Sequence, residues 1–295
     1  MEIFVVCNPV SGRGRAIELA REFEGLATLR GHHVSFVATK SAEEMAGMGS
    51  RISEEADAVV CAGGDGTLNA LVNGMDDLGR VPIAQLATGT ANLLARELGL
   101  PSEAGAVLSM IEAGQTVDFD LMVINEDRKA LLVASVGFDA MVIEEIHRNR
   151  KGVLGFRGYA RPIQSVMRRY VPPRLRVWID DGEEAWEGGL VVVGNIRRYA
   201  AFFSITDRAR FDSGALDVCI VPDASRLGLI GLLPAARRGM LSESGRVRYR
   251  RGKRVRIESA YGDDGEVAVE VDGEYFGRTP IEICVEAGAV RVLVP

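Results

Sequence analysis

The residues best suited by type and spacing to do chemistry lie in Ala58-Val59-Val60-Cys61-Ala62-Gly63-Gly64-Asp65-Gly66-Thr67-Leu68-Asn69. An apolar run of strand character enters three glycines and an aspartate, and a helix-compatible stretch, Thr67 to Met75, follows. Glycines at a strand-to-helix junction permit a tight turn and let a phosphate approach bare N–H groups. The start of the helix adds partial positive charge at the same place. Asp65 is the anomaly, because a carboxylate repels phosphates unless a cation or a donor stands between them. Magnesium resolves this, since it binds one or two carboxylates together with substrate phosphates. The stretch reads as a nucleoside triphosphate site; a glycine turn capped by Asp65 is the rival.

The elements around it repeat the same grammar. Ile3 to Cys7 is a continuous apolar run, as in a buried parallel strand, and it ends in Asn8-Pro9-Val10-Ser11-Gly12-Arg13-Gly14 before helical spacing from Arg15 to Leu29. That loop lacks the G-x-x-x-x-G-K-[ST] and G-x-G-x-x-G patterns, so neither a P-loop nor a dinucleotide fingerprint is supported. His33 to Ala38 is a second strand, ending at Thr39, and Ser41 to Glu55 reads as a helix with Ser41 and Glu44 in a capping box. Val81 to Leu86 leads into Ala87-Thr88-Gly89-Thr90-Ala91-Asn92 and a helix, Leu93 to Leu98, stopped by Gly99. Strands alternating with helices predict an α/β layer with a parallel sheet, in which ligands sit at the carboxyl ends of strands. The loops at Asn8–Gly14, Thr39, Gly63–Thr67 and Gly89–Asn92 all fall at such ends.

After a helix from Ala104 to Ala113, strand alternation dominates from Val117 to the end. Two helical inserts interrupt it, about Phe138 to Met167 with a break near Lys151–Gly158, and about Ser225 to Leu241. Many short strands predict an antiparallel, sandwich-like domain. The boundary falls near Leu121, giving an α/β nucleotide-binding domain over 1–121 and a β-rich domain over 122–295. Arg246, Arg248, Arg250, Arg251, Lys253, Arg254 and Arg256 alternate with apolar residues around Gly252 and read as a hairpin with one basic face. It is either a charge-protected edge or a membrane contact.

The chain has 295 residues, 47% hydrophobic and 26% charged, with a formal net charge of −6. Two domains are the natural expectation, and a general nucleic-acid binder is not. Cys7, Cys61, Cys219 and Cys284 lie in or beside apolar runs with no C-x-x-C pair, which fits buried thiols in a reducing compartment. No secretory pattern or membrane-length apolar run is seen, so a cytoplasmic chain is expected. His32, His33 and His147 lie outside the glycine loops, which argues against histidine chemistry.

Asn8-Pro9-Val10-Ser11-Gly12, Gly63-Gly64-Asp65-Gly66-Thr67-Leu68-Asn69 and Gly89-Thr90-Ala91-Asn92-Leu93-Leu94-Ala95-Arg96-Glu97-Leu98-Gly99-Leu100 together resemble the bacterial diacylglycerol kinase-type lipid kinases, a superfamily that also holds sphingosine and ceramide kinases. The resemblance continues through Ser135 to Ala140, Asp212 to Val218, Val271-Asp272-Gly273-Glu274 and the closing Arg291 to Pro295. It implies a nucleotide-binding α/β domain, a β-rich domain and an active-site cleft between them. It implies ATP held by Asn8, Ser11, Gly12, Thr39, Gly63, Gly64, Asp65, Gly66, Thr67, Leu68, Asn69, Gly89, Thr90 and Asn92, with Asp65 on the Mg2+ side.

The resemblance also gives Asp272 and Glu274 the family's general-base role, without saying which takes the proton from a lipid hydroxyl. Read alone, Asp272-Gly273 is a hairpin turn, which is compatible with that role. The implied partners are a lipid substrate at the inner face of a membrane and, as one option, a second copy of the chain in a homodimer. Two departures stand out. Ser213 replaces an aspartate that in the family helps bind a structural magnesium, with Asp212 and Asp217 as neighbours, so that site is expected to be weak or absent. Tyr199-Ala200-Ala201-Phe202-Phe203 is bulkier than the family's glycine-rich segment and leaves the acceptor lipid open. An NAD kinase, which shares the GGDG loop, and a nucleotide-sensing regulator without catalysis are the rival readings.

Overall fold

The computed structural model describes residues 1–39, 44, 48–149, 156–200 and 202–295. The expected helix cap Ser41, much of the expected break at Lys151–Gly158, and Ala201 lie outside the described residues. The chain divides into two compact units, Met1–Phe119 with Gly288–Pro295, and Asp120–Ala287. The sequence leaves everything beyond Leu121 in the second domain, whereas the structure returns Gly288–Pro295 to the first unit. Pairing explains the return, because Val292 lies parallel to Ile83 and Val290, Val292 and Leu293 are buried.

The first unit is a parallel sheet built on β1 (Glu2–Cys7), β2 (His33–Ala38), β3 (Ala58–Gly63) and β4 (Ile83–Ala87), in the order β2-β1-β3-β4 with the final strand beside β4. Every residue of β3 is buried, as its continuous apolar run requires of a strand covered on both faces. Ile3, Val5, Val60, Ala62, Ala84 and Leu86 face one core with Ala20 and Phe23 of helix Arg15–Leu29 and Val107 and Leu108 of helix Ala104–Ala113. Helices Gly49–Glu55, Asp65–Gly74 and Leu93–Leu98 also belong to this unit.

The second unit is an antiparallel sandwich. One sheet has the order β14-β13-β10-β7-β16-β17, made of Arg248–Gly252, Leu216–Val221, Leu190–Gly194, Val133–Val136, Ala268–Val271 and Glu274–Arg278. The other carries β15 (Arg254–Ser259) between β8 (Leu175–Ile179) and β18 (Ile281–Leu293), with β9 (Trp186–Gly188) at the edge beside β8. Alternate residues of the two sheets, among them Val136, Val193, Val218 and Val269 against Val177, Val255, Ile257 and Ile283, close the core. Helix Phe138–Asn149 covers the opposite face of the first sheet over β7, β16 and β17.

The basic segment around Gly252 is not a hairpin. β14 pairs with β13, and β15 pairs with β8 and β18, so the chain passes from one sheet to the other at Gly252–Lys253. Only glycine fits that crossing, since a Cβ at Gly252 would lie 2.3 Å from the Ile179 Cγ2. Its arginines find local partners. The Arg250 guanidinium lies 3.9 Å from the Trp186 ring centroid, and Arg251 Nε lies 3.4 Å from Asp217 Oδ2. The alternation of charged and apolar residues is that of two separate strands, of which Arg254–Ser259 turns Val255 and Ile257 into the core while Arg248–Gly252 forms the sheet edge beside Leu216–Val221.

Candidate active-site elements

Strand register gathers the glycine loops. Cys7 is level with Ala38 and Ala62, and Gly63 is level with Ala87, so the loops after β1, β2, β3 and β4 leave the sheet at one height. Backbone hydrogen bonds join them: Asn8 N–H donates to Ala62 O, Thr39 N–H to Cys7 O, and Thr88 N–H to Gly63 O. The Ser11 and Thr88 hydroxyls are hydrogen-bonded at 3.2 Å. The residues expected to bind nucleotide, Asn8, Ser11, Gly12, Thr39, Gly63–Asn69, Gly89 and Asn92, thus belong to one cluster of loops and helix starts in the first unit. Thr90 is exposed on the same loop as Gly89, while Thr39 and Asn69 are buried.

The glycines also serve the packing of the loops against one another. A Cβ on Gly64 would lie 2.9 Å from the Gly89 Cα, and one on Gly89 would lie 2.6 Å from the Gly64 Cα. A Cβ on Gly12, at φ +58°, would lie 2.5 Å from the Thr88 carbonyl oxygen. The loops are therefore packed backbone to backbone, and glycine is needed first for that contact. Thr67 N–H donates to Gly64 O, so the open helix start narrows to the donors before it. Helix Asp65–Gly74 has no side-chain cap at Gly64, which leaves its first turn suited to an anion.

Asp65 sits in that first turn, and its Oδ1 accepts the Leu93 N–H at 2.8 Å. One carboxylate oxygen therefore fastens the start of helix Leu93–Leu98. Asp65 is also a hard oxygen donor at an anion-suited helix start, the kind of single carboxylate that magnesium shares with substrate phosphates. Among the described residues no three His, Cys, Asp or Glu side chains gather to hold a metal by themselves.

In the second unit, Asp272 and Gly273 form the turn between β16 and β17, both with positive φ (+49° and +84°), as a tight two-residue hairpin demands. Their neighbourhood separates the two carboxylates that sequence left as alternatives. Asp272 is buried and accepts N–H bonds from Leu131, Leu132 and Val133 at 2.8, 2.9 and 3.0 Å. Its own N–H donates to Val133 O. Glu274 is exposed, with Arg128 Nη2 at 3.4 Å.

Beneath this turn lies a buried acidic cluster that the sequence did not single out. Glu270 and Ser135 are direct neighbours on β16 and β7, on the face covered by helix Phe138–Asn149. The Ser135 hydroxyl donates to Glu270 Oε2 at 2.6 Å, and Gly273 N–H donates to Glu270 Oε1 at 2.6 Å. Asp139, from the first turn of the covering helix, accepts a hydrogen bond from the Tyr199 hydroxyl. Burial, then the nearby Asp139 charge, pushes Glu270 up to about 8, and burial also raises Asp139. Burial with the Asp139 charge raises Tyr199 in turn. One signal was available in the sequence, a lone glutamate inside the apolar run Val267–Val271. The bulky Tyr199 is thereby a member of this cluster, while Phe202 in the same segment is exposed.

Around Ser213, Asp212 and the serine hydroxyl itself are engaged by local hydrogen bonds. Asp212 takes both Arg210 Nε and Nη2 at 3.1 Å, and the Ser213 hydroxyl donates to Ala215 O. Asp217 is buried, and desolvation raises it. Cys7, Cys61 and Cys219 are buried, and burial pushes the Cys7 thiol up to about 11 and the Cys219 thiol to about 12, which makes them poor nucleophiles.

A parallel α/β unit with clustered glycine loops, joined in sequence to an antiparallel sandwich with an acidic turn, defines a class of two-domain kinases, phosphotransferases whose acceptor is an alcohol. Sequence comparison gives the family. The diacylglycerol kinase catalytic domain matches residues 2–124, and the YegS C-terminal NAD kinase beta sandwich-like domain matches residues 132–294. The chain belongs to the bacterial diacylglycerol kinase-type lipid kinase family. A diacylglycerol kinase from Mycobacterium tuberculosis is 29% identical, over 100% of this chain and 95% of its own length. A diacylglycerol kinase from Staphylococcus epidermidis is 28% identical, over 94% of this chain and 86% of its own. The crystal structure of a diacylglycerol kinase from Bacillus anthracis str. Sterne superposes with a TM-score of 0.71 at 18% identity, covering 100% of this chain and 97% of that one, a likeness of fold.

Proposed function

We propose that this chain is an ATP-dependent, magnesium-requiring kinase that phosphorylates the hydroxyl of diacylglycerol or a closely related lipid. The observation that carries the reading is the alignment of four loops at the carboxyl ends of one parallel sheet, with an uncapped helix start and Asp65 among them. The relatives named diacylglycerol kinase, aligned along nearly the whole chain, support the acceptor class.

In the proposed reaction the lipid hydroxyl oxygen attacks the γ-phosphorus and the bond to the β–γ bridging oxygen breaks, releasing ADP. The hydroxyl proton passes to Glu274, the carboxylate whose surroundings leave it accessible. Asp272 holds the turn, because its oxygens already serve three backbone amides. The N–H groups at the start of helix Asp65–Gly74 bind phosphate oxygens, and Asp65 would hold magnesium. When bound, that ion neutralises charge on the transferring group.

The test is transfer of label from [γ-32P]ATP into diacylglycerol in mixed micelles with Mg2+, with NAD offered in a parallel reaction. Labelled phosphatidic acid is the expected product. Label in NAD and none in lipid would move the chain to the NAD kinase reading, and label in neither would assign it to the non-catalytic regulators.

A further inference from the structure

The second unit carries an apolar surface framed by arginines. Helix Arg226–Arg238 buries Leu229, Leu232 and Ala236, while Leu227, Ile230 and Leu233 are 82%, 53% and 46% exposed. Their spacing of three puts them on one face of the helix. The helix packs against β12 (Phe203–Ser204), and Gly239 approaches Ser204, so the neighbouring Phe202 and Met240, each 50% exposed, extend the stripe at its C-terminal end. At the other end Arg226 Nη2 donates to the carbonyl oxygens of Arg168 and Tyr170, next to Val171, 76% exposed. A single exposed apolar side chain needs no explanation, but three on one helix with three more at its two ends do.

Charge says what covers them. Arg237 and Arg238 lie in the last turn of the helix, the Arg246 guanidinium lies against Gly231, and Arg168 lies in the last turn of helix Ala160–Arg169; all four side chains are exposed. Counter-charges lie at both ends: Asp223, whose carboxylate accepts the Ser225 N–H, at the helix start, and Glu243 and Asp207, which accepts the Ser242 N–H, beyond its C-terminal end. Apolar side chains ringed by arginines match acyl chains beneath anionic phosphates. A hairpin ties this face to the acidic cluster, since Tyr199, hydrogen-bonded to Asp139, pairs across it with Phe203.

We propose that helix Arg226–Arg238, with Phe202 and Met240, is the face that seats this protein on an anionic bilayer. The inference rests on the lipid acceptor proposed above, because a diacyl lipid resides in a bilayer. Its test is sedimentation of the full chain, without nucleotide, with phosphatidylcholine vesicles and with phosphatidylcholine–phosphatidylglycerol vesicles. The parent chain is expected to bind the anionic vesicles far better. Arg237→Gln and Arg238→Gln should each weaken that binding roughly fivefold. The pair Ile230→Ser and Leu233→Ser should weaken it by about tenfold or more, at unchanged melting temperature, since both side chains face solvent in the free protein.

Parent-like vesicle binding by both sets of variants overturns the inference, as does equal binding of the parent to both vesicle types. A dimer that the Ile230→Ser, Leu233→Ser chain cannot form, with no vesicle binding by the parent, also overturns it and gives the face to a second copy of the chain. Because binding is read without turnover, vesicle binding with no lipid phosphorylation would defeat the proposed function and leave the docking face standing.

Discussion

At the scale of single residues, the Asp272–Glu274 turn holds two carboxylates with opposite tasks. Removing the Asp272 side chain orphans buried amides of Leu131, Leu132 and Val133. Asp272→Ala should therefore cost roughly 2–5 kcal/mol in urea unfolding. Glu274→Gln, on an exposed side chain, should leave unfolding unchanged while lowering turnover by about 10²–10⁴-fold. A stable, inactive Asp272→Asn beside an active Glu274→Gln would reverse the assignment. Glu270 adds a pH dependence. Its folded value of about 8 lies above the ordinary 4.5 because burial penalises the charge. Between those values the folded state binds the extra proton, so stability is greatest at acid pH and falls as pH rises through about 8. Melting temperature should thus decline from mildly acid to alkaline pH in the parent and do so less in Glu270→Gln; equal slopes would remove the buried proton from the account.

At the scale of elements, the same substitution should act with opposite signs at two glycines. Gly89→Ala forces a methyl into the Gly64 backbone and the Asn92 Oδ1, 2.6 and 2.7 Å away, in a place with no room to relax. It should cost about 1–3 kcal/mol and reduce the rise in melting temperature that ATP produces. Gly25→Ala, inside helix Arg15–Leu29 with open space around it, should stabilise the chain by about 0.5–1 kcal/mol. The contrast also marks what sequence could tell. Apolar runs and the glycines that end them are local signals, so β1 to β4 and their loops were legible from the chain alone. The packing partner of each glycine was not, since Gly64 meets Gly89 through the register of β3 and β4. The Ser135–Glu270 pair likewise exists only once β7 lies beside β16, and the basic strands β14 and β15 could not announce which sheet each would join.

At the scale of the whole molecule, the chain enters its second unit after Phe119 and returns to its first at Gly288, so the first unit is complete only when the last residues arrive. Val292 pairs with Ile83, and Val290, Val292 and Leu293 bury their side chains there. Burying three such residues contributes roughly 5 kcal/mol, which is as large as the whole stability of many domains of this size. A chain ending at Ala287 would also leave β4 as an open edge, a liability for aggregation. The second unit has its own core of Val136, Val193, Val255 and Ile283, none of it drawn from the deleted segment. Deleting Gly288–Pro295 should accordingly strip hydrogen-exchange protection from Ile83–Ala87 and abolish ATP-dependent stabilisation. The amides of Leu190–Gly194 should stay protected. Loss of protection in both segments together would mean that the two units unfold as one cooperative body, and retained protection at Ile83–Ala87 would mean that the returning strand is dispensable to the sheet it joins.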